Sequence, residues 1–271
     1  MRLVVAVPLA LAIALFLRGA WRLRRARRPG IGAGRLVAAA VGFTALAVAL
    51  GDAMHALGHE LFAGHMAQHL LLVSVAAPAL LLADPFAATL WGLPPRARRA
   101  LAAALTSGRP LRRALARLTH PAITWPLYVA VLWLWHLPGA YDAALRSGWL
   151  HDLEHALFFG TALLFWWPVL GPAPHVAPAP HPGVRVAYLV LGALQSGALG
   201  LLLAAQPAPL YATYAAGAPA WGLTGAEDQA WGGLLMWSVG AAVDMAAVLL
   251  VVSRVLATPA FLDRSVAVRE N

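Results

Sequence analysis

The chain has 271 residues, 61% of them hydrophobic and only 11% charged, against roughly 25% charged residues in soluble domains, so a soluble globular fold is excluded. The formal charge is +9, and all 20 basic residues are Arg. These arginines lie in short stretches between apolar runs, so nucleic-acid binding is not their explanation; the absence of cysteine excludes a disulfide framework and a thiolate metal site.

Seven apolar segments follow in chain order, at about 3–17, 36–50, 61–82, 123–137, 152–170, 184–204 and 229–255. A membrane helix needs about 20 residues, so the shorter segments draw on flanking residues. Internal Pro78, Pro126 and glycines are compatible with membrane helices. Positive charge follows the first segment instead of preceding it, and no small-residue cleavage site separates the two. The segment is therefore expected to remain as a span and not to leave as a signal peptide.

Arg18, Arg22, Arg24, Arg25, Arg27, Arg28 and Arg35 lie between the first two segments, and seven more, from Arg96 to Arg117, lie between the third and fourth. Arg185 opens the sixth segment, and Arg254, Arg264 and Arg269 stand at the C-terminal end. With the N-terminus outside, 18 of the 20 Arg fall on the cytoplasmic side and only Arg2 and Arg146 outside, as the positive-inside rule requires. The expected fold is an all-α, polytopic membrane helix bundle of about seven transmembrane helices, N-out and C-in. It forms a single integral-membrane domain over 1–271, with 1–35 the first span and an Arg-rich cytoplasmic loop, 36–255 the helix core and 256–271 a cytoplasmic tail. Residues 171–183, rich in Pro and Ala, are expected to be an irregular loop. Trp133, Trp135, Trp149, Trp166, Trp167, Trp221, Trp231 and Trp237 lie near segment ends and read as an aromatic belt.

This orientation gathers seven of the ten histidines at the outer end: His55, His59, His65, His69, His136, His151 and His155. His65/His69 and His151/His155 are spaced i, i+4, which stacks each pair on one helix face. An imidazole at membrane depth is costly unless paired or ligated, and two on one face, a turn apart, make a bidentate metal face. Imidazole suits copper, zinc, iron and nickel, and the thioethers of Met54 and Met66 favour Cu(I). The bland alternative is interfacial histidines bonded to backbone or headgroups. Asp152 and Glu154 either orient imidazoles as acceptors or cap a helix start. Asp228 either ligates metal, holds a histidine in its tautomer, or caps the last span. Gln195 is expected to hydrogen-bond helix to helix, and Asp244 stands alone deep in a span. His151 to His155 also match H-x-x-E-H, an inverted zinc-protease pattern that is weak evidence in a His-rich chain.

The chain resembles the caa3-type cytochrome c oxidase assembly factors, the CtaG family of multispan membrane proteins. The matching stretches are Gly64-His65-Met66-Ala67-Gln68-His69-Leu70-Leu71, Ala76-Ala77-Pro78 with Asp84-Pro85, and Trp135-His136-Leu137-Pro138. They continue with His151-Asp152-Leu153-Glu154-His155 running into Phe165-Trp166-Trp167-Pro168, then Leu210-Tyr211, and end with Asp228-Gln229-Ala230-Trp231-Gly232-Gly233-Leu234-Leu235-Met236-Trp237. The resemblance extends from about residue 36 to 255.

It implies a non-enzymatic role in maturing a haem-copper oxidase in a bacterial plasma membrane, by supplying copper to the oxidase catalytic subunit. The residues expected to hold copper are His65, His69, His151 and His155, then His136, Met66 and Asp228, with His55 and His59 as an outer relay. Three rivals stay open: axial haem ligation by facing histidines, a zinc-dependent membrane hydrolase using Glu154, and a metal-free assembly scaffold. The lipid bilayer is an expected partner, and nucleic acid is not.

Overall fold

The computed structural model describes residues 3–27, 31–217 and 219–257. The expected tail, from residue 258 on, lies outside the described residues, as do Arg2 and Arg28. Every regular element described is helical. In chain order they are α1 (Leu3–Arg25), α2 (Ala33–Ala49), α3 (Asp52–Glu60), α4 (Phe62–Leu70), a π-helical turn (Leu71–Ala76) and α5 (Ala77–Leu82). Then come α6 (Phe86–Gly92), α7 (Pro95–Ala104), α8 (Pro110–Leu118), α9 (Pro121–Trp135), α10 (Pro138–Arg146), α11 (Gly148–Leu170), α12 (Pro182–Ala204) and α13 (Gly225–Leu256).

Each of the seven apolar segments falls on a helix. Among the described residues, five helices are long and apolar enough to cross a membrane: Ala6–Arg25, Phe62–Leu82, Gly148–Leu170, Pro182–Ala204 and Gly225–Leu256. The pair α2 and α3 passes the same test together but bends by 52° between its halves, and α9 is apolar with only 15 residues. The chain is an all-α membrane protein. The Arg-rich stretch after the first segment is mostly helix and not loop, because α1 runs on through Arg18, Arg22, Arg24 and Arg25. Nothing in Arg opposes helix, so the helix outlasts the apolar run.

The bundle is closely packed where side chains are small. At the α12/α13 crossing, a Cβ on Gly200 would come within 2.6 Å of the Gly233 carbonyl oxygen. Only glycine there lets the two backbones touch. The span Phe62–Leu82 bends its hydrogen bonding instead. Ala77 N–H bonds Leu72 O, five residues back, and in that register Pro78 should serve Val73 O but has no N–H. Trp166 supplies the missing donor: its Nε1–H lies 3.0 Å from Val73 O. Trp166 is thus a buried core residue, as is Trp135, and neither belongs to an interfacial belt; Trp149, Trp221, Trp231 and Trp237 are exposed. Gln195 is half-buried and makes no side-chain hydrogen bond among the described residues, contrary to the helix-to-helix bond expected of it.

The two ends of the bundle differ. At one end Arg22 donates to Trp91 O and Leu93 O, Arg35 pairs with Asp84 at 3.2 Å, and Arg112 donates to His175 O in the irregular 171–181 loop. At the other end α3, α10 and residues 211–214 form a cap over the histidines. Asp142 of α10 accepts from Ala212 N, Thr213 N and Thr213 Oγ1. Tyr211 donates to His136 O at 3.1 Å, and Tyr214 to Gly58 O.

Candidate metal centre

The first turn of α4 begins at Leu61, whose side chain offers no cap. Its exposed N–H groups are met from another helix: Asp228 accepts from Phe62 N at 2.6 Å and Ala63 N at 3.0 Å. A carboxylate there also complements the positive end of the helix dipole. The start of α13 itself is capped by Thr224 and Glu227, which form a reciprocal capping box. Asp228, expected as a ligand, as the partner that holds a histidine in its tautomer or as the cap of its own helix, fixes where α4 begins, and with it the depth of His65 and His69.

Those two imidazoles lie one turn apart, with Nε2 atoms 2.9 Å from each other. On α11, His151 and His155 lie against each other with tilted rings, centroids 4.2 Å apart. That helix opens at Gly148, four residues before the expected start, so Asp152 and Glu154 stand beyond its first turn and do not cap it. Helices α4 and α11 face each other across the cluster: His65 is 5.1 Å from His151 and His69 is 5.4 Å from His155, ring to ring. On α3, His55 and His59 pair at 4.6 Å and both lie against His151, at 5.1 and 5.6 Å.

Glu154 sits among the rings with no exposure. Its carboxylate oxygens are 3.7 Å from His65 Nε2, 3.7 Å from His69 Nε2 and 4.0 Å from His151 Nε2. These gaps are too long for hydrogen bonds, and both oxygens lack a donor. His65 Nδ1, His69 Nδ1, His151 Nε2 and His155 Nε2 are likewise buried without a partner.

Three overlapping groups each bring three donor atoms within 4.8 Å of one another: His55/His59/His151, His65/His151/Glu154 and His65/His69/His155. His151 belongs to the first two and His65 to the last two. The first group is partly open to solvent and the third fully buried. Two imidazole nitrogens, each about 2 Å from one ion, stand roughly 3 Å apart, close to the His65–His69 separation. Unpartnered imidazole nitrogens around an uncompensated carboxylate are a fitting donor set for a transition-metal cation.

The remaining expected residues lie lower or elsewhere. His136 Nδ1 is 2.7 Å from Leu132 O, leaving its buried Nε2 without a partner. Met66 is buried beside His69, facing a cavity below the cluster that both residues line. A wall of Phe62, Tyr141 and Tyr211 closes the side toward α13, with His65 5.0 Å from Tyr141. Burial pushes the phenols of Tyr141, Tyr211 and Tyr214 above their ordinary value, so they stay protonated at neutral pH.

Residues 14–258 match the family described as cytochrome c oxidase caa3 assembly factor, Caa3_CtaG. The chain belongs to this family. Relatives of this chain include an uncharacterized protein of Mycobacterium bovis and one of Mycobacterium tuberculosis. Each is 29% identical over 247 residues, covering 88% of this chain and 36% of the relative. A third, from Mycobacterium leprae, is 28% identical over 251 residues with the same coverage. The chain thus spans about a third of the length of the curated relatives it matches. No solved structure matches it.

In this member of the family, the i, i+4 histidine pairs are legible in sequence, but their meeting does not follow from that spacing. Glu154, read there as an orienting acceptor, a cap or the acid/base of the hydrolase alternative, stands inside a donor group with His65 and His151. The available signal was its position three residues after His151, which puts both on one face of α11.

Proposed function

We propose that this chain receives copper at the extracytoplasmic face of a bacterial plasma membrane and delivers it to the catalytic subunit of a haem-copper cytochrome c oxidase. In this reading the chain crosses the bilayer seven times, N-out and C-in. The bent α2/α3 pair and the short α9 count as spans, and the histidine end faces outward. Copper is cargo, not a resident cofactor, and the chain is not an enzyme.

The observation that carries the reading is the sharing of His151 and His65 between successive donor groups. A resident structural ion needs one closed set of ligands. Overlapping sets instead let an ion gain a ligand from the next group before it loses one to the last, so it passes inward without being released. His55 and His59 present the exposed end, and His65, His69 and His155 the buried end. Glu154 lies between and offsets the ion's charge in a low-dielectric surrounding. Family membership supports the destination: an oxidase assembly factor has a haem-copper enzyme as its client.

The test is metal content and a visible spectrum on detergent-purified protein, beside a variant carrying His65→Ala, His69→Ala, His151→Ala and His155→Ala. The expected result is copper bound by the wild-type chain, lost from this cluster in the variant, with no Soret band. A Soret band would replace copper transfer by haem ligation, and no metal under copper-replete conditions would leave a scaffold role. Tight zinc with a Glu154→Gln variant that keeps its metal but loses hydrolytic activity would support the hydrolase.

A further inference from the structure

Beneath the imidazole cluster, helices α4, α9, α11, α12 and α13 line a partly open cavity of about 50 Å³. That is room for a few waters or a ligated ion. His69, His136, Met66, Met236 and Asp244 line it.

Four features distinguish this void from ordinary loose packing. First, the Leu132 carbonyl takes the Nδ1 proton of His136, so the buried and unpartnered Nε2 carries a free lone pair. Second, Met66 on α4 and Met236 on α13 both border the cavity. Methionine is the residue that bends to fill gaps, yet here two of the chain's five leave one open. Third, Asp244 is a carboxylate within the span Gly225–Leu256, with no hydrogen bond or ion pair among the described residues. A carboxylate at membrane depth is costly without a cation. Fourth, His69 is common to both places. Its Nε2 faces His65 in the upper cluster, its Nδ1 is buried and unpartnered, and its ring lines the cavity.

These donors select for both softness and charge. Thioether and imidazole together favour Cu(I). Two neutral thioethers, one neutral imidazole and one carboxylate exactly neutralise a monovalent ion, whereas a divalent ion would leave a positive charge in the bilayer. We propose that the cavity is a second, thioether-bearing site for Cu(I), held by Met66, Met236 and His136. Asp244 balances its charge, and His69 passes the ion down from the upper cluster. The site rests on the copper-transfer reading and deepens it, and the ion stays Cu(I) throughout, so no electron donor is needed.

The test titrates the full-length, detergent-purified chain with Cu(I) under anaerobic conditions against a chromophoric Cu(I) chelator, followed by copper-edge X-ray absorption. Two equivalents are expected, one with sulfur neighbours. Met66→Leu with Met236→Leu, a substitution that nearly conserves volume, should lose one equivalent and the sulfur signal while the imidazole-bound equivalent remains. The four-histidine variant should keep the sulfur-ligated ion. Selenomethionine-labelled protein should show copper–selenium neighbours without any substitution, so the outcome does not hang on a variant folding. Copper bound with no sulfur or selenium neighbour, or stoichiometry and sulfur signal unchanged in the double Leu variant, would overturn the cavity site and leave the upper cluster standing. No copper bound at all would overturn both.

Discussion

At Glu154 a carboxylate with no hydrogen-bond donor lies among three imidazole Nε2 atoms, all within 4.0 Å. A buried carboxyl group left without a partner is costly whether charged or neutral. The same geometry becomes favourable when a cation enters. Glu154→Gln keeps the shape and removes the charge. Its expected effect is a 10- to 100-fold loss of copper affinity, the range for groups that support metal ligands. The metal-free variant should melt no lower than the wild type, because an unpaired acid has been removed. Competition titration and thermal unfolding in the same detergent check the two halves. Unchanged affinity would place Glu154 outside the copper path. At this scale the sequence was informative about pairs and silent about encounters. His65/His69 and His151/His155 share faces by spacing alone. That Glu154 joins His65, or that Asp228 caps α4 across 165 residues of chain, depends on which helices are neighbours, and no local period records that.

Among the helices, the π turn in Phe62–Leu82 shows how the cluster is held from below. Pro78 removes one donor, and Trp166, from the helix that carries His151 and His155, returns it to Val73 O. The bond thereby ties the lower parts of the two histidine-bearing helices together. Trp166→Phe retains the ring's packing but leaves Val73 O unpaired in the membrane interior. The expected cost is about 1–3 kcal/mol, read as a lower unfolding temperature. Copper stoichiometry should be unchanged in the folded fraction. A variant as stable as the wild type would show that water or a shifted backbone satisfies the carbonyl. The long apolar helices were plain in sequence because hydrophobic length identifies them. The short helices α3 and α10 were not. Both mix Asp, Gly and Ala with other polar residues and have no apolar run, and they are helical where they pack at the bundle end. Trp166 was misread for a related reason: position near a segment end suggests an interface, but burial is decided by what packs alongside.

Over the whole molecule, most arginines and seven of the ten histidines lie at opposite ends, with His175 bonded to Arg112 at the arginine end and Arg146 on α10 at the histidine end. The orientation proposed for the chain follows from that polarity, because arginine is retained on the cytoplasmic side during insertion. The sequence carries the orientation argument in full, since it needs only composition between segments. The span count is less direct, because α2 and α3 bend and α9 is short. The absence of cysteine makes the orientation directly measurable, since any introduced thiol is the only one to label. Ala56→Cys on α3 and Ser107→Cys between α7 and α8 both place the thiol at exposed positions, and because Ala56 adjoins His55 the labelling is done without added copper. In intact spheroplasts a membrane-impermeant maleimide should label Ala56→Cys and should reach Ser107→Cys only after the membrane is permeabilised. The reverse pattern would turn the histidine cluster toward the cytoplasm. Copper would then be drawn from the cytoplasmic pool, and the exposed end at His55 and His59 would be the intake on that side. Labelling of both thiols in intact spheroplasts would mean that the two ends share a side, which a bundle with an odd number of spans between them cannot do. One impermeant reagent on two single-cysteine variants therefore tests the direction of transfer before any metal is measured.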